Sequence, residues 1–366
     1  AYMEAMVLGG LRQHTSALEA VERCLELEPA FVPARLMQGH LLAATGRWDD
    51  AVKAVVRAMA DQPLTPDVYE AAAIAALRHG RPEAVAKVAR AALTGGASSP
   101  KLDAYQKAAL KADRGPTWAR VYDHESEHYH VFSDIDSATC KEAARKLEVA
   151  NRSFRETLPF SAEEDGRRFK VYLFGGRKGF DTYQKDLGIM GSRLMPSVAG
   201  LYSTWLKQLL IWNLPRRDAM MKTVRHEGFH QYLDRFITDP PVWFNEGLAE
   251  YYELGEPKGK TLRLGQVDMN HVATLASKPR VPLPAFLAMP SKAFYKRAPQ
   301  SYAQAWALIH MLRHGEPKYR ERWKQLVKDL TEGADAYDAL SKALPPPELE
   351  RIEKDLDKYL RKLARP

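Results

Sequence analysis

The 366-residue sequence predicts an α+β protein: an N-terminal helical repeat array, then a small mixed β-sheet lobe, then a helical lobe. Three observations predict it. Residues 1 to about 95 repeat with a period near 34 and carry helical apolar spacing. Between Trp118 and Trp212, short runs of β-formers alternate with helical patterns. From Thr223 onward the spacing is almost entirely helical. The length is large for one hydrophobic core, so two domains are expected, at 1–113 and 117–366.

The repeat rests on recurring pairs. Pro29 and Pro63 are 34 apart, as are Gly46 and Gly80. Ala17-Leu18 recurs as Ala51-Val52 and, one residue short of the next period, as Ala84-Val85. Each unit carries a helical stripe: Leu18, Val21, Leu25; Ala51, Val55, Met59; Ala84, Val88, Leu93. Small residues (Ala34, Gly39, Ala72, Ala73) let paired helices approach. The pattern resembles the tetratricopeptide repeat, two helices per unit, which implies a groove for a protein partner. Ser98–Pro116 marks the boundary, with GGASSP (95–100) overlapping its start, Arg114-Gly115-Pro116 at its end and a short helix between.

Trp118–Tyr122 and His128–Phe132 read as strands, with His128 and His130 as ordinary strand residues. Ser137 to about Thr157 is an amphipathic helix capped by Asp136 or Ser137, with Ala143, Leu147, Ala150 and Phe154 on one stripe. Phe169–Phe174 is a central strand, and Lys178–Leu187 a helix. A Gly- and Met-rich loop follows at 188–196. Val198–Tyr202 and Gln208–Trp212 are two strands joined by a turn around Trp205-Leu206-Lys207.

The stretch that carries chemistry is TVRHEGFHQYLDRFITDPPVWFNEGLAEYYE, residues 223–253. His226 and His230 are four apart, so one helix face aims both imidazoles at a common point. Glu227 projects beside that point, where a carboxylate can take a proton from water without being a ligand. Glu246 follows His230 by sixteen residues, after the Pro240-Pro241 break, and opens a second helical pattern. A catalytic zinc ion takes three protein ligands and keeps one open position. Asp239 is an alternative third ligand without a supporting motif.

HEGFH followed by WFNEGLAEY resembles the gluzincin metallopeptidases, closest to the peptidase-MA-like branch. The resemblance implies a thermolysin-like metallopeptidase domain with Zn2+ on His226, His230 and Glu246, and Glu227 as general base. It places Glu250, four residues after the glutamate ligand, as the group that orients a histidine ligand, with Asn245 also supporting the metal site. It also implies that the strand within Ala199–Asn213 lies along the substrate. The aminopeptidase branch carries a glutamate there that holds the substrate's amino terminus. This stretch has no acidic residue, which favours an endopeptidase.

After the motif, 265–290 reads as a loop with short helices, and Ser301–Leu312 as a clear helix. The start of that helix resembles the Tyr-x-x-Gly-x-x-Leu segment of aminopeptidase N-like enzymes, with Trp306 near the family's small residue. By that resemblance Tyr302 donates its hydroxyl to the carbonyl oxygen under attack. His310 and His314 are expected at the surface or as helix-end caps. Tyr319–Leu330, Ala334–Ala343 and Pro347–Leu363 are three further helices, the last turning Leu349, Ile352, Leu356 and Leu360 inward.

The net charge of +8 is spread among interleaved acidic and basic residues, a solvated surface rather than a nucleic-acid site. No apolar run approaches a membrane span. Cys24 and Cys140 have no metal-ligand spacing and form no disulfide framework. Compartment is left open: cytoplasmic, or exported if a leader precedes Ala1. The expected function is zinc-dependent hydrolysis of a peptide or protein substrate. The alternatives are a catalytically inert repeat adaptor with a structural zinc lobe, and a zinc hydrolase acting on a non-peptide substrate.

Overall fold

The structure is a computed structural model, which describes the chain except residues 11–12, 46, 62–64, 79–81, 161–167, 189–197, 238 and 365–366. Expectations at Gly46, Pro63 and Gly80, and in the Gly-Met loop from residue 189, lie outside the described residues. The chain is mixed α and β, with two compact units. One comprises Ala1–Ala119, Lys178–Val198 and Ser203–Lys207; the other comprises Arg120–Arg177, Ala199–Tyr202 and Gln208–Pro366.

The first unit contains α1 (Tyr2–Gly10), α2 (His14–Leu27), α3 (Val32–Ala44), α4 (Trp48–Asp61), α5 (Pro66–Arg78), α6 (Pro82–Thr94) and α7 (Pro100–Arg114). Ala17, Leu18, Val21, Ala34, Leu41 and Ala51 bury one cluster; Tyr69, Ala73, Leu77, Val85, Ala89 and Leu102 bury another. Gly39 sits where an added Cβ would lie 2.6 Å from the Val55 side chain, so α3 and α4 pack closely. Leu93, expected on the third stripe, is 70% exposed, because α6 turns Val85, Ala89 and Ala92 inward instead. The segment expected to hold a short helix forms the whole of α7, capped by Ser99 accepting from Leu102 N. The expected boundary did not anticipate that 178–198 and 203–207 belong to this unit. Physical ties explain it: Asp186 pairs with Lys111 at 3.2 Å, and Leu206 packs on the second cluster.

The second unit is built on a five-stranded sheet of β1 (Tyr122–Glu125), β2 (Tyr129–Ser133), β3 (Phe169–Phe174), β4 (Gly200–Ser203) and β5 (Gln208–Trp212). Its order is β1-β2-β3-β5-β4, so β3 is central, as expected, and β4 is an edge. β1 and β2 pair antiparallel, whereas β2, β3 and β5 run parallel with Val131↔Val171 and Leu173↔Ile211. Parallel neighbours need a crossover. The first is supplied by α8 (Ser137–Thr157), whose N-cap Asp136 accepts from Thr139 N. The expected strand at 118–122 begins only at Tyr122 and runs on to Glu125, because pairing with β2 sets its register. Between β3 and β4 lies α9 (Arg177–Asp186).

One sheet face, with Val131, Val171, Leu173, Leu209 and Ile211, packs on Ala143, Ala144 and Leu147 of α8 and on Met220, Met221 and Val224 of α10 (Arg217–Leu233). Past α10, α11 (Val242–Glu253) leads into a hairpin of β6 (Glu256–Lys258) and β7 (Thr261–Arg263) that the sequence reading did not predict. Then come α12 (Met269–Ser277), α13 (Leu283–Leu287), α14 (Ser291–Lys296), α15 (Ala298–His314), α16 (Pro317–Thr331), α17 (Ala336–Ala343) and α18 (Leu349–Leu363). Buried residues run all round α15 from Ala303 to Leu312, which makes it the axis of the helical lobe. Trp243, Phe244, Phe229 and Trp306 are fully or almost fully buried there, each contributing roughly 1.5–3 kcal/mol of transfer free energy. Leu349, Ile352, Leu356 and Leu360 face inward on α18.

Candidate metal centre

Helix α10 carries His226 and His230 one turn apart, with ring centroids 4.9 Å from each other. Pro240-Pro241 ends the approach to α11, and Glu246 then projects from the second turn of that helix. Gly247 is what lets α11 lie where it does. A Cβ there would stand 2.7 Å from the backbone oxygen of Ala305 on α15. Close packing of α11 on α15 also brings Tyr302, one turn before Ala305, to the site. Its ring centroid is 6.3 Å from that of His226.

The outer nitrogens of both imidazoles are occupied. His226 Nδ1 donates to Glu253 Oε2 at 3.1 Å, and His230 Nδ1 donates to Asn245 Oδ1 at 2.8 Å. Those partners fix the tautomer and leave each Nε2 as a lone-pair acceptor. Each Nε2 lies 3.4 Å from Glu246 Oε2. That oxygen is buried and has no hydrogen-bond partner. Glu246's other oxygen, Oε1, accepts from the Tyr295 hydroxyl at 2.6 Å. Three acceptor atoms thus converge in a buried place, all within 4.8 Å of one another. Such an arrangement is costly unless a cation or protons sit among them.

The donor set fits zinc. Bonds of about 2.0–2.1 Å in a tetrahedron space ligand atoms about 3.3–3.4 Å apart, and the two Nε2–Oε2 separations are both 3.4 Å. Without a metal, protons fill the role. Burial disfavours the charged imidazoles, but Glu246 and Glu253 at His226, and Glu246 at His230, outweigh it and raise both pKa values. Burial likewise opposes the Glu246 carboxylate, yet the two imidazoles hold it far below the usual carboxylate range.

Glu227 lies beside this cluster. Its Oε2 accepts from Tyr202 N of β4 at 2.8 Å. Burial raises its pKa, and the two histidines only partly offset that. Gly200 allows β4 to run close to α10, since a Cβ there would meet Ile211 at 2.8 Å and Thr223 at 3.0 Å. Tyr202 is anchored in turn through its hydroxyl, which donates to Asp234 Oδ2 at 2.6 Å.

Glu250 is not the hydrogen-bond partner of His226 or His230. Its Oε1 is 3.6 Å from His226 Nδ1, and its Oε2 accepts from His271 Nε2 at 2.8 Å. Glu253, one helical turn further on, takes the place expected of Glu250, and Arg225 holds that end of α11 by donating to the Glu253 backbone oxygen at 2.7 Å. The spacing could have found it, because Glu246, Glu250 and Glu253 share one face of α11. Tyr295 carried no such signal, being almost fifty residues from Glu246 on a helix of six. Asp239 sits in the turn before α11 at φ 49 and belongs to no metal-competent group among the described residues. His310 is buried rather than at the surface, with Nε2 donating to Gly265 O and Nδ1 accepting from the Tyr359 hydroxyl. His314 is exposed at the end of α15 and accepts from the Tyr251 hydroxyl.

A second grouping, Glu127, His128 and Glu148, differs in kind. Glu148 already accepts from Ser126 Oγ, His128 N and His128 Nδ1, so its oxygens are satisfied by the protein.

Residues 220–334 match a family model described as "Protein of unknown function (DUF1570)". The matched span contains every residue of the cluster, from His226 to Tyr302. No curated protein matches the sequence.

Proposed function

We propose that this protein is a zinc-dependent peptidase of the gluzincin type, acting as an endopeptidase. One observation carries the reading: Glu246 Oε2, buried and unpartnered, faces two imidazole nitrogens whose opposite nitrogens are already engaged. His226, His230 and Glu246 would hold the ion. When bound, zinc supplies Lewis acidity, which acidifies water and polarises a carbonyl.

The chain's own groups supply the rest. Glu227 accepts a proton from the attacking water at Oε1, its Oε2 being held by Tyr202 N. A carboxylate whose pKa is raised by burial is a better base near neutrality than an ordinary one. The water oxygen bonds to the carbonyl carbon, the C–N bond breaks, and Glu227 returns the proton to the leaving amine. Tyr302 donates to the carbonyl oxygen as it gains charge. Its buried hydroxyl stays protonated, with burial first and then Glu246 raising its pKa far above the usual value. The lack of acidic residues in 199–213 favours cleavage that does not read a free amino terminus. The tandem helices of the first unit would recruit substrate or a protein partner in the manner of tetratricopeptide repeats.

A peptide-library digest tests the proposal. Wild type is expected to cleave internal bonds, and Glu227→Gln to lose about 10²–10⁴-fold in rate with zinc content unchanged. Equal zinc in both and no cleavage by either supports the inert adaptor. Turnover of non-peptide substrates alone assigns a different hydrolase.

A further inference from the structure

We infer that Tyr295 is a positioning residue for the metal ligand Glu246, selecting which carboxylate oxygen faces the ion. The inference rests on the zinc reading above. Tyr295 lies on α14, and the residue as a whole is 44% exposed. Its hydroxyl nevertheless donates to Glu246 Oε1 at 2.6 Å, a short, charge-assisted bond. A carboxylate oxygen only accepts, so the phenol is the donor in this bond. Oε1 is therefore occupied, and Oε2 is the oxygen left for His226 Nε2 and His230 Nε2 to face. Each ligand then has its own anchor from a different residue: Glu253 for His226, Asn245 for His230 and Tyr295 for Glu246. The Tyr295 ring is steadied edge-on by Phe294, at 5.6 Å between centroids, and Phe294 in turn packs on Tyr302 at 5.5 Å.

Chelator competition on the full chain tests this, with zinc as the probe. Tyr295→Phe keeps the ring and removes only the donor. It is expected to weaken zinc binding about 10–100-fold, with the far-UV circular dichroism of wild type. Tyr302→Phe removes a hydroxyl from the same wall that does not hold a ligand, and is expected to leave zinc affinity within about threefold, well short of the loss from a lost anchor. The cobalt-loaded protein adds a spectroscopic readout: the visible d–d bands are expected to change in Tyr295→Phe, where Glu246 can offer both oxygens, and not in Tyr302→Phe. Zinc affinity unchanged in Tyr295→Phe, or weakened alike in both variants, overturns the inference. Wild type that binds no zinc overturns the metal reading itself.

Discussion

Glu246 shows how few side chains shape the candidate site. Its carboxylate is buried, tied on one oxygen and open on the other, between imidazoles that have no second use for their inner nitrogens. The partners of those imidazoles make a prediction at the residue scale. Glu253 orients His226, whereas Glu250 is engaged by His271. Glu253→Ala should therefore weaken zinc affinity about 10–100-fold, and Glu250→Ala should have the smaller effect. Isothermal titration of both variants checks this, and the reverse ranking contradicts it. The convergence of His226 and His230, with Glu227 beside them, was legible in the sequence because one helix face sets it, and Glu246 was reached only through the second motif. Tyr295 and Tyr202 were not legible, since each meets the site through a fold contact that no local spacing encodes.

At the scale of elements, the site depends on how closely α11 approaches its neighbours. A Cβ added at Gly247 would stand 2.7 and 2.8 Å from Ala305 backbone atoms, and backbone cannot swing aside as a side chain can. Gly247→Ala should destabilise the metal-free protein by about 1–3 kcal/mol and loosen Glu246 next to it. Gly228→Ala is the comparison: there a Cβ would meet only the mobile end of Leu147, at 2.6 Å. Urea unfolding should rank Gly247→Ala as the more damaging, and equal midpoints contradict the packing argument. The start of α8 was read well because Asp136 caps it, whereas α16 begins at Pro317, two residues before the expected Tyr319. The β6–β7 hairpin and α14 escaped because three-residue strands and a six-residue helix carry too little periodicity to register. Leu93 was misassigned for a related reason: in an alanine-rich helix several faces read as apolar, and packing picks one.

The C-terminal helices offer a pH test. Asp355 on α18 accepts from Lys318 Nζ at 2.6 Å and from the Tyr319 hydroxyl at 2.8 Å, both on α16. The Lys318 bond foremost lowers the Asp355 pKa from 3.8 to about 2, opposed by burial, the second-largest effect, and helped by the Tyr319 and Lys358 bonds. A depressed carboxylate stabilises the fold above its unfolded value and stops doing so as pH falls through the folded one. The stability advantage of wild type over Asp355→Asn should thus be complete above pH 3.8 and vanish toward pH 2. Thermal melts across that range test it, and a gap that persists at pH 2 contradicts it.

For the whole molecule, the tandem helices and the sheet-bearing lobe are two compact units, and the His226–His230–Glu246 grouping lies in the second. The family match falls wholly on that lobe, over the elements that build the cluster. No helix among the described residues is long and apolar enough to cross a membrane. The broad α+β architecture followed from alternating β-former runs and helical spacing. The grouping of 178–198 and 203–207 with the tandem helices did not, because it depends on Lys111 meeting Asp186 and Tyr105 meeting Trp205 across long sequence separations.

Zinc content by metal analysis of the purified chain is the most direct test of the central claim. Near one equivalent is expected in wild type and Glu227→Gln, and almost none in His226→Ala, His230→Ala or Glu246→Ala. A wild type without zinc, or ligand variants that keep it, would contradict the metal centre and the hydrolase with it.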